Sequence, residues 1–316
     1  MQIVISIDIG GTSTKIGLVH PKKGVLIKGN IPSTGYATAN DFFSRLFAKI
    51  DFLLEESITP YTITGIGIGA PSSNCKEGFI ECAANISHLN RVPILSILKS
   101  KYKVPAFLVK DSNAAALGEK QYGAATSMDN FILITLGTGL GCGIVINGQV
   151  LEGVTGMASE LGHIQVKQNG RQCGCGASGC LETYVSATGI KRTAFKLIAD
   201  SLANSVLKNY SYECLTAKII YEAAMADDPI AKEAFQFTGK ILGQKLADLI
   251  TIFEPDAIFL AGGLAEAGDL LLTPVIKSIH KHILPKNISK INVQLTALSE
   301  NEAALLGAAS LVTMKE

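Results

Sequence analysis

The sequence predicts an α/β protein of about two domains, and three observations support this fold class. The chain has 316 residues, which is enough for two domains that each bury a core. Apolar residues make up 47% of the chain and charged residues 17%, a composition typical of packed globular proteins. Residues 3–29 and 131–150 follow the same plan of strand, glycine-threonine turn, strand, tight turn and strand. This repeated plan predicts two halves of similar architecture.

The first half combines hydrophobic strands with three helices. Residues 40–57 have helical apolar spacing, with Asn40 or Asp41 as the expected N-cap. The other predicted elements are the strands IVISIDI, IGLVH, VLIKG, ITGIGIGAP and VPAFLVKDSN and the helices at 92–101 and 114–122. The first glycine turn joins strand to strand, whereas a Rossmann fingerprint requires a strand, a turn and a helix. The GxxxxGK[ST] pattern of the P-loop is absent from the sequence.

The second half repeats this beginning and then becomes mainly helical. FILITL, the turn GTGLGCG and IVINGQVL form the repeated unit, with a tight turn at Asn147-Gly148. Helices are expected over residues 184–251, a strand at 256–260 and a final helix at the carboxyl end. The expected domains are residues 1–116, completed by the helix at 301–316, and residues 117–300. Two facing glycine turns could clasp one nucleotide through backbone N–H groups, and two unrelated hairpins are the alternative.

Bulk properties argue against several classes of partner. A net charge of +1 gives no reason to expect binding to nucleic acid or to an anionic membrane. The amino terminus lacks the basic region of a signal peptide and has an acid at Asp8. The uncharged run from Phe131 to Gly148 contains glycines and threonines, so we expect a hairpin and not a membrane span. The cysteines show no disulfide framework, which favours a reducing cytoplasm.

A histidine and three cysteines form a candidate metal site. His163, Cys173, Cys175 and Cys180 are the ligand set of a structural zinc ion, and the intervening glycines allow tight turns. The alternative is a loop with unrelated cysteines. Four protein ligands complete a tetrahedral shell, so this metal would brace the loop and would not activate water. A braced loop could hold the flanking glutamates against a ligand rich in hydroxyl groups.

Several motifs together resemble the ROK family (repressors, open reading frames and kinases) of the actin and hexokinase ATPase superfamily. The resemblance covers essentially the whole chain. The matching segments are Asp8-Ile9-Gly10-Gly11-Thr12, Leu136-Gly137-Thr138-Gly139-Leu140-Gly141, Ala261-Gly262-Gly263, Glu160-Leu161-Gly162-His163 and Cys173 to Glu182. The cysteine signature is highly specific, whereas a lone Gly-Gly is weak. In this order and spacing the motifs together are strong evidence for the resemblance.

The resemblance implies a two-domain actin-like ATPase (ribonuclease H-like) fold with a nucleotide and sugar cleft between the domains. It implies that Asp111 is the catalytic base, which would accept the proton of a sugar hydroxyl. The implied sugar-binding residues are Asn85, Lys110, Asp111, Glu160, His163 and Glu182. The implied nucleotide-binding residues are Asp8, Gly10, Gly11, Thr12, Lys15, Gly137, Thr138, Gly139, Gly262 and Gly263. Asp8 is also expected near Mg²⁺, acting through water.

Some of these residues have structural alternatives. Asp111 alone could be an N-cap, Glu182 could be favoured by a helix dipole, and Asp8 could bind N–H groups of the turn. Two positions depart from the family pattern, because Lys110 stands where the family usually has an asparagine that contacts the sugar, and Ser159 where it has glycine. Lys110 could donate to the same hydroxyl, pair with Asp111 or point away.

The function implied by the resemblance is that of an ATP-dependent, glucokinase-like hexose kinase, and the acceptor group we expect is the 6-hydroxyl. Its implied cofactors are ATP, Mg²⁺ and Zn²⁺, and its partners are a small-molecule sugar and further copies of the chain in a dimer or tetramer. The alternatives are a kinase of N-acetylmannosamine or N-acetylglucosamine and a non-catalytic sugar sensor. Regulators of the family have a helix-turn-helix domain before the kinase-like part, and the first phosphate motif here begins at Asp8. We therefore expect no DNA binding and a cytoplasmic enzyme.

Overall fold

The computed structural model describes residues 1–57, 60–81, 84–285 and 292–314, apart from the side chains of residues 84, 85, 300 and 301. Its strands are β1 (Gln2–Ile9), β2 (Ser13–His20), β3 (Gly24–Pro32), β4 (Thr62–Ala70), β5 (Ser73–Asn74), β6 (Phe79–Ile80), β7 (Ala106–Lys110), β8 (Phe131–Leu136), β9 (Leu140–Ile146), β10 (Gln149–Val150), β11 (Ala257–Ala261) and β12 (Val293–Leu295). Its helices are α1 (Ala39–Glu55), α2 (Ile94–Tyr102), α3 (Asp111–Tyr122), α4 (Ala187–Asp200), α5 (Ala217–Met225), α6 (Pro229–Phe253), α7 (Asp269–His282) and α8 (Glu300–Thr313).

Two five-stranded sheets have the same topology. Their strand orders are β3-β2-β1-β4-β7 and β10-β9-β8-β11-β12. In the first sheet β1 and β2 are antiparallel, as are β2 and β3, whereas β4 and β7 continue the sheet in parallel with β1. In the second sheet β9 and β10 are antiparallel, and β8, β11 and β12 are parallel. The internal repeat predicted from the glycine turns is therefore confirmed.

The residue contacts divide the chain into two compact units. Unit 1 comprises residues 1–129, 143–159 and 297–316, and unit 2 comprises residues 130–142 and 160–296. These units differ from the expected domains, because all of α3 and the segment 143–159 belong to unit 1. The hydrophobic patterns located the elements, whereas the division depends on side-chain packing between segments distant in sequence.

Unit 1 buries its first sheet on both faces. On one face Ile5 and Ile7 of β1 join a cluster with Phe42 and Leu46 of α1. On the other face Val4 packs with apolar residues of α8. Burial on both faces explains why β1 is buried at every residue from Ile3 to Ile9, although its sequence alternates apolar and polar residues near its end.

Helices α3 and α8 approach each other closely through glycines. A Cβ added at Gly307 would overlap the carbonyl oxygen of Ala114, and one added at Gly118 would overlap that of Ala303. Neither obstacle is a flexible side chain, so a larger residue would push the two helix backbones apart.

We therefore expect Gly307→Ala to destabilise the protein by about 1–3 kcal/mol, because the added methyl group has no space. Thermal unfolding of this variant measures the effect. Ala304→Ser, at a partly exposed position of the same helix, is the control and should unfold near the wild-type temperature. An unchanged transition for Gly307→Ala would contradict the close packing.

Unit 2 has a second core in which helices α6 and α7 pack together. Phe131 of β8 and Phe259 of β11 meet edge to face, with 5.9 Å between ring centroids. Asp228 caps α6 by accepting a hydrogen bond from Ala231 N, and Pro229 occupies the first turn. Gly243 of α6 lies where a Cβ would meet the backbone of α7.

No helix within the described part of the chain is both long and apolar enough to cross a membrane.

Several local expectations need correction. The N-cap of α1 is Thr38, which forms a capping box with Asp41, and neither Asn40 nor Asp41 is the cap. Helix α3 begins at Asp111 and not at Ala114, because the first turn absorbs the polar residues after β7. The sequence analysis also missed α7, whose internal Pro274 interrupts the helical signal, and the short strand β12.

Candidate active site and metal centre

The candidate catalytic residues of unit 1 lie where three parallel strands end. Strands β1, β4 and β7 run in the same direction, so their carboxyl ends share one edge of the sheet. Asp8 is the penultimate residue of β1, the turn Gly10-Gly11-Thr12 follows that strand, and Asp111 follows β7. Ligands of open α/β sheets commonly bind at such an edge.

Asp8 is nearly buried beside the start of α3. The residue is 8% exposed. Lys15 on β2 is paired with Asp8 in the sheet, and its Nζ lies 3.9 Å from Asp8 Oδ2. A Cβ added at Gly69 would lie 3.1 Å from Ala114 Cβ and 3.6 Å from Asp8 Oδ1. The glycine in β4 therefore allows Asp8 and α3 to come close together.

Asp111 is the first residue of α3 and is half-buried. Its Oδ1 accepts a hydrogen bond from the backbone N–H of Ser112 at 2.7 Å. The alternative that Asp111 is the N-cap is wrong, because Lys110 occupies that position and makes no side-chain cap. The amino-terminal end of a helix interacts favourably with a negatively charged side chain at this position.

Lys110 is 3% exposed and directs its ammonium into unit 1. Nζ donates to the carbonyl oxygens of Ala158 at 2.6 Å and Ser159 at 3.1 Å. The sequence left three orientations open for this lysine. In the structure its ammonium binds backbone carbonyl groups of a segment distant in sequence. Its expected contact with a sugar stays a prediction.

The first glycine turn is closed by its own backbone. Gly10 N donates to Ser13 O at 3.0 Å, and a Cβ at Gly10 would approach that oxygen to 2.9 Å. Ser33 N donates to Thr12 O at 2.9 Å, which ties the turn to the end of β3. A side chain at Gly10 would therefore disturb the turn.

Unit 2 has two further glycine turns at the ends of adjacent parallel strands. The turn after β8 is closed by a hydrogen bond of 3.1 Å from Gly137 N to Gly139 O. The turn after β11 contains Gly262 at φ +89°, where a Cβ would lie 2.8 Å from the carbonyl group of Leu136. Among the residues that the structure describes, a Cβ at Gly137 or Gly263 would meet no atom within 4 Å. These two positions are thus open to a ligand.

Glu182 connects the second glycine turn to the cysteine-containing loop. Its Oε2 accepts a hydrogen bond from Leu140 N at 3.0 Å, and a Cβ added at Gly139 would overlap the same oxygen. Its Oε1 lies 3.9 Å from Cys173 Sγ. One carboxylate therefore contacts both parts of the candidate site in unit 2.

The sequence analysis missed the role of the start of α4 in holding the second glycine turn. Ser186 caps this helix by accepting a hydrogen bond from Gly189 N. Ala187 N donates to Gly137 O at 2.9 Å, and Thr188 Oγ1 donates to Thr138 O. Ser186 at the start of an apolar helical pattern was the available signal for the cap.

The four predicted metal ligands come together. The nearest ligand atoms of His163, Cys173, Cys175 and Cys180 all lie within 4.8 Å of one another. Cys173 Sγ is 3.7 Å from His163 Nδ1, and Cys175 Sγ is 3.7 Å from Cys180 Sγ. Zinc bonds of roughly 2.0–2.3 Å in a tetrahedron would place ligand atoms about 3.5–3.8 Å apart. The cluster fits one zinc ion.

Burial and hydrogen bonding shift the pKa values of the three cysteines in different directions. Burial raises the pKa of Cys173, and it raises the pKa of Cys180 to about 12. The pKa of the exposed Cys175 is lowered by a hydrogen bond from the backbone at Ala177. A bound metal would favour all three thiolates, because metal binding releases thiol protons.

Arg171 ties the cysteine loop to α4, another contact that the sequence analysis missed. Its guanidinium donates to the carbonyl oxygens of Thr183 at 2.7 Å and Gly189 at 3.0 Å. It also lies 4.5 Å from the ring centroid of Tyr184. The loop therefore has a fixed base independent of its metal ligands.

The remaining predicted sugar-binding residues are Glu160, His163 and Asn85. Glu160 is exposed, and its carbonyl accepts a hydrogen bond from His163 N at 3.0 Å. Because His163 Nδ1 faces the cysteines, Nε2 lies on the opposite side of the ring. The side chain of Asn85 lies outside the described residues, so its expected role stays a prediction.

Comparison with known proteins agrees with this arrangement of motifs. A glucokinase of Halalkalibacterium halodurans is 34% identical over 320 aligned positions, which cover 99% of this chain and 95% of the relative. A xylose repressor of Bacillus subtilis is 30% identical over 261 positions, covering 83% of this chain and 64% of the repressor.

A solved structure shares the fold. The ROK family glucokinase of Streptomyces griseus, in complex with glucose and AMPPNP, superposes with a TM-score of 0.83 at 31% identity and covers 99% of both chains. This similarity establishes the actin-like ATPase fold expected from the motifs. The ROK family model itself matches residues 4–315. The chain therefore belongs to the ROK family.

Proposed function

We propose that the protein is an ATP-dependent hexose kinase of the glucokinase type, which transfers the γ-phosphate of ATP to the 6-hydroxyl of the sugar. The observation that carries this proposal is the position of Asp111, half-buried at the start of α3, on the same sheet edge as Asp8 and the first glycine turn. Phosphoryl transfer needs a base for the acceptor hydroxyl close to groups that hold phosphate. The glucokinase relatives support the assignment.

In this proposal Asp111 accepts the proton of the acceptor hydroxyl as the oxygen attacks the γ-phosphorus. The bond from the γ-phosphorus to the β–γ bridging oxygen breaks, and ADP leaves with that oxygen. The carboxylate is suited to this step because the amino-terminal end of α3 and the Ser112 N–H interact favourably with its negative charge. The protein otherwise contributes mainly by positioning the reactants and stabilising charge.

The nucleotide would be held by backbone N–H groups of the glycine turns. The proposed residues are the turn Gly10-Gly11-Thr12 with Lys15, the turn Gly137-Thr138-Gly139, and Gly262-Gly263. The open positions at Gly137 and Gly263 support close approach of a ligand to the backbone. Asp8 would hold Mg²⁺, most simply through water, and the ion would neutralise phosphate charge.

The sugar would be bound by hydrogen bonds from several polar side chains. Carboxylates suit this task because they can pair with neighbouring hydroxyl groups. The proposed residues are Asn85, Lys110, Asp111, Glu160, His163 and Glu182. Nε2 of His163 is free of the cysteine cluster on geometric grounds and could face a hydroxyl.

Zinc would be the structural metal of the cluster formed by His163, Cys173, Cys175 and Cys180. The 3.7 Å separations between ligand atoms support this assignment. A closed four-ligand shell stabilises a fold and leaves no position for a reactive water. The ion would thereby fix Glu182, whose Oε1 lies next to Cys173.

An ADP-release assay over a panel of hexoses and N-acetylhexosamines tests the proposal. We expect turnover with ATP and Mg²⁺ for glucose or a close epimer, at a rate well above that without sugar. A preference for N-acetylmannosamine or N-acetylglucosamine would identify the alternative kinase. Tight sugar binding without ADP release would favour a sensor, which the similarity to xylose repressors keeps as a second candidate. Light scattering checks for the expected dimer or tetramer.

A further inference from the structure

The buried ammonium of Lys110 binds a segment distant in sequence. Lys110 is 3% exposed, and Nζ donates to two successive carbonyl oxygens, those of Ala158 and Ser159. Hydrogen bonds from a charged donor are stronger than those between neutral groups. A buried ammonium that lost these acceptors would remain poorly solvated, so the lysine and the segment hold each other in place.

The bound segment, residues 152–159, is a compact loop of unit 1. Ala158 N donates to Glu152 O at 3.1 Å, which closes the loop. Gly153 and Gly156 have φ values of +72° and +90°, and a Cβ at Gly156 would lie 2.9 Å from Cys75 Sγ. The loop therefore fits closely against the chain after β5, and its shape depends on two left-handed glycines.

Ser159 ends this loop in a conformation that usually requires glycine. Its φ is +66°. Such a conformation persists in other residues only where the surroundings impose it. Its Oγ is buried without a hydrogen-bond partner in the part of the chain that the structure describes, so the hydroxyl gives no such support. The hydrogen bond from Lys110 Nζ to the carbonyl oxygen of Ser159 is a contact that supports the positive φ of Ser159.

The two ends of this interaction are adjacent in sequence to two proposed sugar-binding residues. Lys110 immediately precedes Asp111, and Ser159 immediately precedes Glu160. We propose that Lys110, in addition to its predicted sugar contact, is a positioning residue, whose ammonium fixes the backbone at Ala158 and Ser159 and thereby sets the placement of Asp111 and Glu160 for the acceptor sugar. This inference rests on the proposed function, because the sugar is the ligand that these two carboxylates would bind.

Lys110→Met tests the role of the ammonium while keeping an unbranched apolar side chain. We expect its KM for the sugar to rise at least about tenfold, because small displacements of binding groups have large effects. Its KM for ATP should stay within about twofold, since the glycine turns are closed by backbone hydrogen bonds of their own. A merely structural role would instead lower the amount of folded enzyme and leave both KM values unchanged.

Lys120→Met is the matched control. Lys120 also donates from Nζ to a backbone carbonyl, that of Met128 at 2.7 Å, but it lies at the far end of α3. We expect this variant to keep the wild-type KM for both substrates. An equal rise of the sugar KM in both lysine variants would overturn the inference.

Ser159→Gly in the Lys110→Met background provides a rescue test. Glycine adopts positive φ without strain, so the double variant should recover at least about threefold of the lost sugar affinity. Strictly additive effects of the two substitutions would contradict the proposed link between Lys110 and Ser159.

Hydrogen exchange separates this inference from the proposed function. In Lys110→Met the Ala158 amide should exchange at least about tenfold faster than in wild type and in Lys120→Met, because the loop loses its anchor. If wild type phosphorylates no hexose, the proposed function fails, and this exchange rate decides the inference by itself. Unchanged exchange in Lys110→Met would overturn it in either case.

Discussion

Asp111→Asn is expected to lower kcat for sugar phosphorylation by about 10²–10⁴-fold, the usual range for loss of a general base. The substitution preserves the size of the side chain and leaves an oxygen that can accept the hydrogen bond from Ser112 N. It removes the group that accepts the proton. The fold should therefore persist while the chemical step slows, and steady-state kinetics with the best hexose measures the change.

Two further observations make this result specific. Nucleotide binding, measured by calorimetry, should be retained, because the glycine turns are closed by backbone hydrogen bonds of their own. Asp41→Asn is the control, since Asp41 is also an acid in the first turn of a helix but serves the capping box of α1. It should lower stability slightly and leave kcat unchanged. Wild-type turnover by Asp111→Asn would refute the assigned base.

Cys175→Ser should abolish zinc binding and, with it, most of the sugar affinity. Cys175 is exposed, so the substitution disturbs little packing and acts mainly by removing one of four ligands. Wild type should contain about one zinc per chain by elemental analysis. Loss of the ion would release the loop beside Glu182, and we expect sugar affinity to fall by about 10- to 100-fold.

Cys214→Ser is the matched control for the metal site. Cys214 is likewise an exposed free cysteine but lies outside the cluster, so this variant should retain both zinc and sugar affinity. Full sugar affinity in a zinc-free Cys175→Ser protein would contradict a positioning role for the metal. Zinc retained at the wild-type level in that variant would contradict the ligand assignment.

The sequence predicted the repeated strands and the metal ligands because their signals are local. The strand-turn-strand plan depends on hydrophobic residues and glycines within about twenty residues, and the four ligands lie within one short segment. Helix α7 was missed because Pro274 removes a backbone N–H from an otherwise amphipathic pattern. Proline usually breaks or kinks a helix, but packing of α7 against α6 overrides this tendency here.

The environment of Lys110 could not be predicted for a different reason. Its partners, Ala158 and Ser159, are almost fifty residues away, and they bind through carbonyl groups that every residue has. No residue type in the segment marks it as an acceptor. The hydrogen bonds from α4 to the second glycine turn involve backbone groups in the same way. Such contacts become visible only once the fold is known.

Product analysis by ³¹P NMR tests the central claim most directly. Purified protein is incubated with ATP and Mg²⁺ and with either glucose or its 6-deoxy analogue, followed by two-dimensional ³¹P–¹H correlation. The account predicts ADP and a sugar phosphate whose phosphorus couples to the protons on C6, and no sugar phosphate from the 6-deoxy analogue. A phosphate on another carbon would contradict the 6-hydroxyl assignment, and the absence of sugar phosphate from every hexose tried would contradict the kinase.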